Sequence, residues 1–147
     1  MIYTKLTNKA MKLAYQAHHG QTDYNGIPYI LHPVHLAEEM DDEYSCCVAL
    51  LHDVVEDTDV TIEALCKEFP REITDASRLM THTEGTDYCD YVRAMKENPI
   101  AKKVKLADLE HNSDQSRCVG SNIPVERLRF WSEKYTTANQ ILTENSY

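Results

Sequence analysis

Along most of this chain the apolar residues recur every three or four positions, and few stretches alternate as a strand would. Ala10, Leu13, Ala14 and Ala17 fall on one helical face, with Thr7 as a candidate cap and Gly20 as a stop. A polar loop carrying Gly26 and Pro28 leads to a short helix that holds Pro33 in its first turn and runs through Met40. Asp41 or Asp42 can cap the next helix. Its Cys46, Val48, Ala49, Leu50 and Leu51 surround the axis as it runs to about Val55, which predicts a central element. Thr61 opens another, Pro70 interrupts, and Ile73, Ala76, Leu79 and Met80 resume the pattern. Tyr88, Tyr91, Val92 and Met95 form a stripe, and Asn98-Pro99 stops that helix and starts the next. From Pro124 to about Glu144, Leu128, Trp131, Tyr135, Ala138, Ile141 and Leu142 form a last apolar face. The reading is all-α.

Size and charge narrow this. A chain of 147 residues, 42% hydrophobic and 27% charged, predicts one globular domain over 1–147. No run approaches the roughly 20 apolar residues of a membrane span, and lysines at 5, 9 and 12 break any signal core. Fifteen Lys+Arg against 24 Asp+Glu give −9, which argues against a nucleic acid polymer as partner. A small phosphorylated ligand needs a local cation, and a bound metal would supply one. Five cysteines, with Cys46 and Cys47 adjacent and no C-x-x-C, predict reduced thiols and a cytoplasmic protein.

Three polar islands interrupt helices that should be apolar. The central helix ends ALLHDVVEDT, where His52 and Glu56 share a face and Asp53 and Asp57 share another. Acids at a helix C-terminus oppose the macrodipole, so stability alone does not select them. Upstream, His32 precedes Pro33, which should push it out of α geometry to the mouth of the following helix; His35 reads as a surface or packing residue. Downstream, AKKVKLADLEHN places Asp108 and Asn112 four apart, with His111 beside Asn112. Together, two imidazoles and two carboxylates from three helices suit a divalent ion such as Mn2+, Fe2+ or Zn2+.

In this order, HGQTDYNGIPYILHP, ALLHDVVEDT and VKLADLEHN resemble the HD-domain phosphohydrolases, and most closely the RelA/SpoT-type hydrolase domain. That domain removes the 3′-pyrophosphate of the alarmones ppGpp and pppGpp. The resemblance implies an all-α HD-domain helical bundle and one divalent metal, usually Mn2+, held by His32, His52, Asp53 and Asp108. It implies Glu56 and Asp57 as the pair that positions and activates the attacking water, and Asn112 as a residue near the nucleotide sugar. A chain of this length has no room for a synthetase domain beside it, which predicts hydrolysis without synthesis.

The sequence departs from the pattern in two places. Relatives carry a basic pair, often Arg-Lys, before Gly-x-Pro-Tyr-Ile, where this chain has Asp23-Tyr24. Tyr24 can stack on a base; Asp23 cannot replace a guanidinium. The Arg after the third-motif Asp, and the Arg and Thr after the Asn, are here Leu109, Asp114 and Gln115. The substrate is thereby left open between an alarmone and another nucleotide or phosphate ester. A metal-binding regulatory module without turnover is the remaining reading of an intact centre, and a helical interaction protein the reading without one.

Overall fold

The computed structural model describes residues 1–144, and every regular element among them is helical. The order is α1 (Lys5–Ala17), α2 (Leu31–Glu38), α3 (Glu43–Leu51), α4 (Val54–Asp57), α5 (Ile62–Glu68), α6 (Arg71–Leu79), α7 (Tyr88–Met95), α8 (Pro99–Asn112), a 3-10 turn (Gln115–Cys118) and α9 (Val125–Thr143). The long axis-round apolar run makes α3 the centre: Ser45 to Leu51 are all buried, and α1, α2, α6 and α8 pack around it. Cys46 and Cys47 lie in that core as free thiols, and burial pushes Cys47 up to about 12, so it packs as a small apolar group. No described helix is long and apolar enough to cross a membrane.

Capping chemistry sets most boundaries where the sequence places them. Asp42 Oδ1 accepts from Ser45 N at 2.8 Å, Thr61 Oγ1 from Ala64 N at 3.2 Å and Asn98 Oδ1 from Ala101 N at 2.9 Å. Four expectations are corrected. Thr4, not Thr7, caps α1; Thr7 sits three residues on and returns the bond to the Thr4 amide at 2.8 Å, a capping box built from two threonines.

His32 is helical rather than outside α2. The turn over Pro28–His32 starts the helix early through Leu31 N–Pro28 O and His32 N–Tyr29 O bonds. Pro33 then falls in a first turn, where its missing N–H costs nothing. The central helix does not run unbroken to Val55: it ends at Leu51, and α4 begins after His52-Asp53. Asp53, at φ −108° and ψ 3°, carries the break, and Asp57 N still bonds Asp53 O at 3.0 Å. In α9 only Ala138 and Leu142 are buried, so the apolar stripe is not wholly core. The helix packs on α7 and α8.

Candidate metal centre

The break after Leu51 turns His52 inward at the end of the most buried helix. Its Nδ1 lies 2.7 Å from Ala49 O, and a carbonyl only accepts, so Nδ1 carries the proton. The lone pair of the neutral ring is then on Nε2, which is buried without a hydrogen-bond partner. That nitrogen faces two carboxylates, Asp53 Oδ2 at 3.0 Å and Asp108 Oδ1 at 3.5 Å. Burial opposes charge on His52, but Asp53 and Asp108 outweigh it and hold its pKa well above the ordinary imidazole value. The site demands positive charge at Nε2, from a proton or a cation. An imidazole fixed by a carbonyl on one nitrogen and open on the other is the usual arrangement of a metal ligand.

His32, His52 and Asp53 bring ligand atoms within 4.8 Å of one another, and Asp53, Glu56 and Asp57 form a second such group that shares Asp53. Asp108 adjoins the first group rather than joining it. Its Oδ1 lies 2.9 Å from His32 Nε2 and accepts from Asn112 Nδ2 at 3.0 Å, while its Oδ2 takes the Lys105 ammonium at 2.9 Å. The Asp108 carboxyl is fully ionised: burial resists this, but Lys105, His32 and His52 hold it well below the usual carboxylate range. The donor set of two imidazoles and clustered carboxylates, with one orphaned buried nitrogen, fits a divalent ion.

Several side chains that motif reading passed over complete the surroundings. Tyr29 donates its hydroxyl to Asp53 Oδ2, and burial together with the Asp53 charge pushes its pKa up, so it remains a donor. His111 Nδ1 lies 2.7 Å from His32 Nδ1, and its ring stacks on His35 at 3.9 Å between centroids; His35 is thus part of an imidazole stack. Burial, Arg117 and His32 lower His111 to about 4, so it stands neutral. The two acids that follow the His-Asp pair differ. Glu56 Oε1 accepts from His82 N at 2.6 Å, whereas the Asp57 carboxylate has no hydrogen bond among the described residues. Burial, Asp53 and Glu56 raise Asp57 to about 6.

Beside the cluster lies a cleft of about 410 Å3, lined by Tyr24, His32, Asn112, Arg117 and Trp131 among others. Tyr24 meets the Trp131 ring at 5.1 Å, tilted by 43°. The loop that carries Tyr24 is shaped by an Asx turn: Asp23 Oδ1 accepts from Asn25 N at 2.8 Å and Ile27 N at 3.0 Å. Asn25 in turn donates to Arg117 O, which ties the loop to the segment after α8. Arg117 reaches His111 O at 3.0 Å and Asn112 Oδ1 at 3.4 Å. A larger groove of about 630 Å3, between α8 and α9 around Lys103 and Glu110, contains none of these groups.

At the broken central helix a His-Asp pair is met by a histidine and an aspartate from two flanking helices. The HD-domain family profile matches residues 10–109, and the chain belongs to that family. It is 38% identical over 86% of its length to a guanosine-3′,5′-bis(diphosphate) 3′-pyrophosphohydrolase of Borreliella burgdorferi, of which it covers 23%. It is 33% identical over 88% of its length to the bifunctional (p)ppGpp synthase/hydrolase SpoT of Escherichia coli K12, of which it covers 20%. The chain thus spans under a quarter of these relatives. Its fold is shared with a solved metazoan ortholog of SpoT described as hydrolysing ppGpp, at TM-score 0.74 and 24% identity, over 97% of this chain and 94% of that one.

Proposed function

We propose that this chain is a divalent-metal-dependent phosphohydrolase domain acting in the cytoplasm on a nucleotide, with guanosine 3′,5′-bis(diphosphate) as the first substrate to test. The observation that carries this reading is the orphaned His52 Nε2 facing Asp53 and Asp108, one turn from a pair of acids. His32, His52, Asp53 and Asp108 are assigned as the ligands, and Mn2+ as the ion, with Fe2+ or Zn2+ as the other candidates. An ion held there supplies positive charge to phosphoryl oxygens and makes water a stronger acid.

The remaining roles belong to the chain's own groups. Asp57, whose carboxylate is uncommitted, takes the proton of the attacking water. Glu56, restrained by the His82 amide, orients that water. Tyr29 and Lys105 hold Asp53 and Asp108 in place through one hydrogen bond each. Asn112 faces the sugar, and Tyr24 stacks on the base with Trp131 behind it.

Asp23 favours a second reading within the same chemistry, a nucleotide other than an alarmone, because no cation stands where relatives place one. The experiment is a Mn2+-dependent screen of ppGpp, other nucleotides and phosphate monoesters, with released pyrophosphate and phosphate measured separately. Pyrophosphate release from ppGpp is the expected result. Release of phosphate from monoesters alone would exclude the pyrophosphohydrolase.

A further inference from the structure

An acidic chain that binds a polyanion needs cations at the point of contact, and those near the centre are unequally committed. Lys105 is buried and bound to Asp108 at 2.9 Å. Arg117 is spent on His111 O and Asn112 Oδ1. Lys134, on α9, forms no ion pair with a described carboxylate and yet does not extend into solvent. Its Nζ sits 4.3 Å from the centroid of Tyr88, the ring that Lys105 Nζ also approaches at 6.0 Å. Burial, and then the charge of Lys105, pull the Lys134 pKa below the ordinary lysine value, against the opposing pull of Glu56.

The position along α9 matters as much. Trp131 and Lys134 are three residues apart and Tyr135 follows, so one side of the helix carries all three. Trp131 closes the cleft over Tyr24, while Lys134 reaches the Tyr88 side, where Tyr91 stacks on His82 at 4.6 Å and the His82 amide holds Glu56. On the proposed reading, a substrate whose base lies against Tyr24 and Trp131 and whose scissile phosphorus lies at the His-Asp cluster would extend its outermost phosphate toward the Tyr88 side, where Lys134 stands without an ion pair among the described residues.

We infer that Lys134, seated on Tyr88 beside Lys105, is the contact for the outer phosphoryl group, and that it makes the site selective for a diphosphate over a monophosphate. This rests on the hydrolase reading for the position of the scissile group. A cation–π contact alone would account for the seat of Lys134 on Tyr88; it would not account for a half-buried ammonium held beside a second ammonium with no ion-paired carboxylate of its own among the described residues.

The test uses the full chain loaded with Mn2+ and titrated calorimetrically with inorganic pyrophosphate and, separately, inorganic phosphate. Lys134→Gln is expected to weaken pyrophosphate binding roughly tenfold or more, the worth of one charge-assisted contact. Phosphate affinity, metal content and melting temperature should stay near wild type, and Lys134→Arg should restore most of the pyrophosphate affinity. Unchanged pyrophosphate affinity in the glutamine variant, or equal loss for both anions, would overturn the inference. Wild-type protein that binds pyrophosphate through Lys134 but cleaves no nucleotide would remove the hydrolase reading and leave the anion contact standing. Cleavage of ppGpp with a KM indifferent to Lys134→Gln would do the reverse.

Discussion

Around His52, polar groups from three helices find one another across distances near 3 Å and almost nothing faces solvent. Around Tyr24, the side chains stand on a loop and on the N-terminal half of α9, and Tyr24 itself is 69% exposed. The two regions share His32 and Asn112 yet obey different constraints. At the buried end a missing partner leaves a charge stranded in low dielectric, so each residue is fixed by its neighbours. At the cleft a side chain can change without disturbing the bundle. The departures from the family pattern fall on both sides of that division. Leu109, where relatives carry an arginine, is 1% exposed and packs in the core, while Asp114 caps the 3-10 turn by accepting from Ser116 N at 3.0 Å. Asp23 is committed to its own turn. At these positions the side chains serve the fold, and under the proposed function recognition falls to Tyr24, Trp131 and Lys134.

The largest effect is expected from striking the buried side. Asp53→Ala removes a ligand from both carboxylate groups and leaves the Tyr29 hydroxyl without its acceptor. Bound Mn2+ should fall to a small fraction of wild type by elemental analysis, turnover should vanish, and the rise in melting temperature on adding Mn2+ should disappear, because ligand binding stabilises only the folded state. Full metal occupancy in this variant would mean the ligands are elsewhere.

Changing Glu56 and Asp57 together to their amides should separate water activation from metal binding. Metal content is expected to remain near normal while kcat drops by roughly 10²–10⁴, the range of lost acid–base help. A double variant that purifies without metal would move these acids into the ligand set and break the distinction drawn here between holding and activating. Of the single changes, Asp57→Asn should account for more of the loss, since Glu56 is already bonded to the His82 amide.

How much of this could be read from the chain depends on the same division. Helices announce themselves by apolar spacing and caps, and His32, His52, Asp53 and Asp108 by polar groups where a core should be. The break at His52-Asp53 was hidden, because ALLHDVVED continues the helical pattern and only the demand for an inward imidazole interrupts it. In AKKVKLAD only its three-residue spacing from Asp108 sets Lys105 apart from the two lysines before it. Trp131 belonged to an apolar stripe that periodicity assigns to the core. It lines the cleft against Tyr24 instead, and a periodic pattern does not say what its apolar face meets.

On the cleft side, Asp23→Arg should restore a flat cation beside Tyr24 at the cost of the Asx turn. The expected result is a selective gain in kcat/KM for ppGpp over a non-guanine nucleotide, worth about 1–3 kcal/mol if the guanidinium is partly desolvated. An equal gain for both would mean that the loop attracts phosphate without reading the base. No gain for either would place the specificity in Trp131 and Lys134 alone.

The smallest effect tests whether the metal side depends on its helix or on its junction. Asp42 caps α3 at the end far from His52, accepting from Ser45 N and pairing with Lys103 Nζ at 3.1 Å. Burial works against its charge, but Ser45 and Lys103 prevail and hold its pKa below the ordinary aspartate value. A carboxyl depressed on folding contributes stability that is complete above its unfolded pKa, near 3.9, and lost as pH falls through the folded value. Asp42→Ala should therefore cost about 1 kcal/mol at neutral pH, as lost caps do, and flatten the acid limb of the stability curve below about pH 4. Asp42→Asn keeps the cap and should lose less. In both, Mn2+ affinity is expected to match wild type, because His52 is held by Ala49 O, Asp53 and Asp108 rather than by the first turn of α3. A parallel loss of metal affinity would show that the centre is positioned by the whole helix, and that the buried side is less self-contained than its contacts indicate.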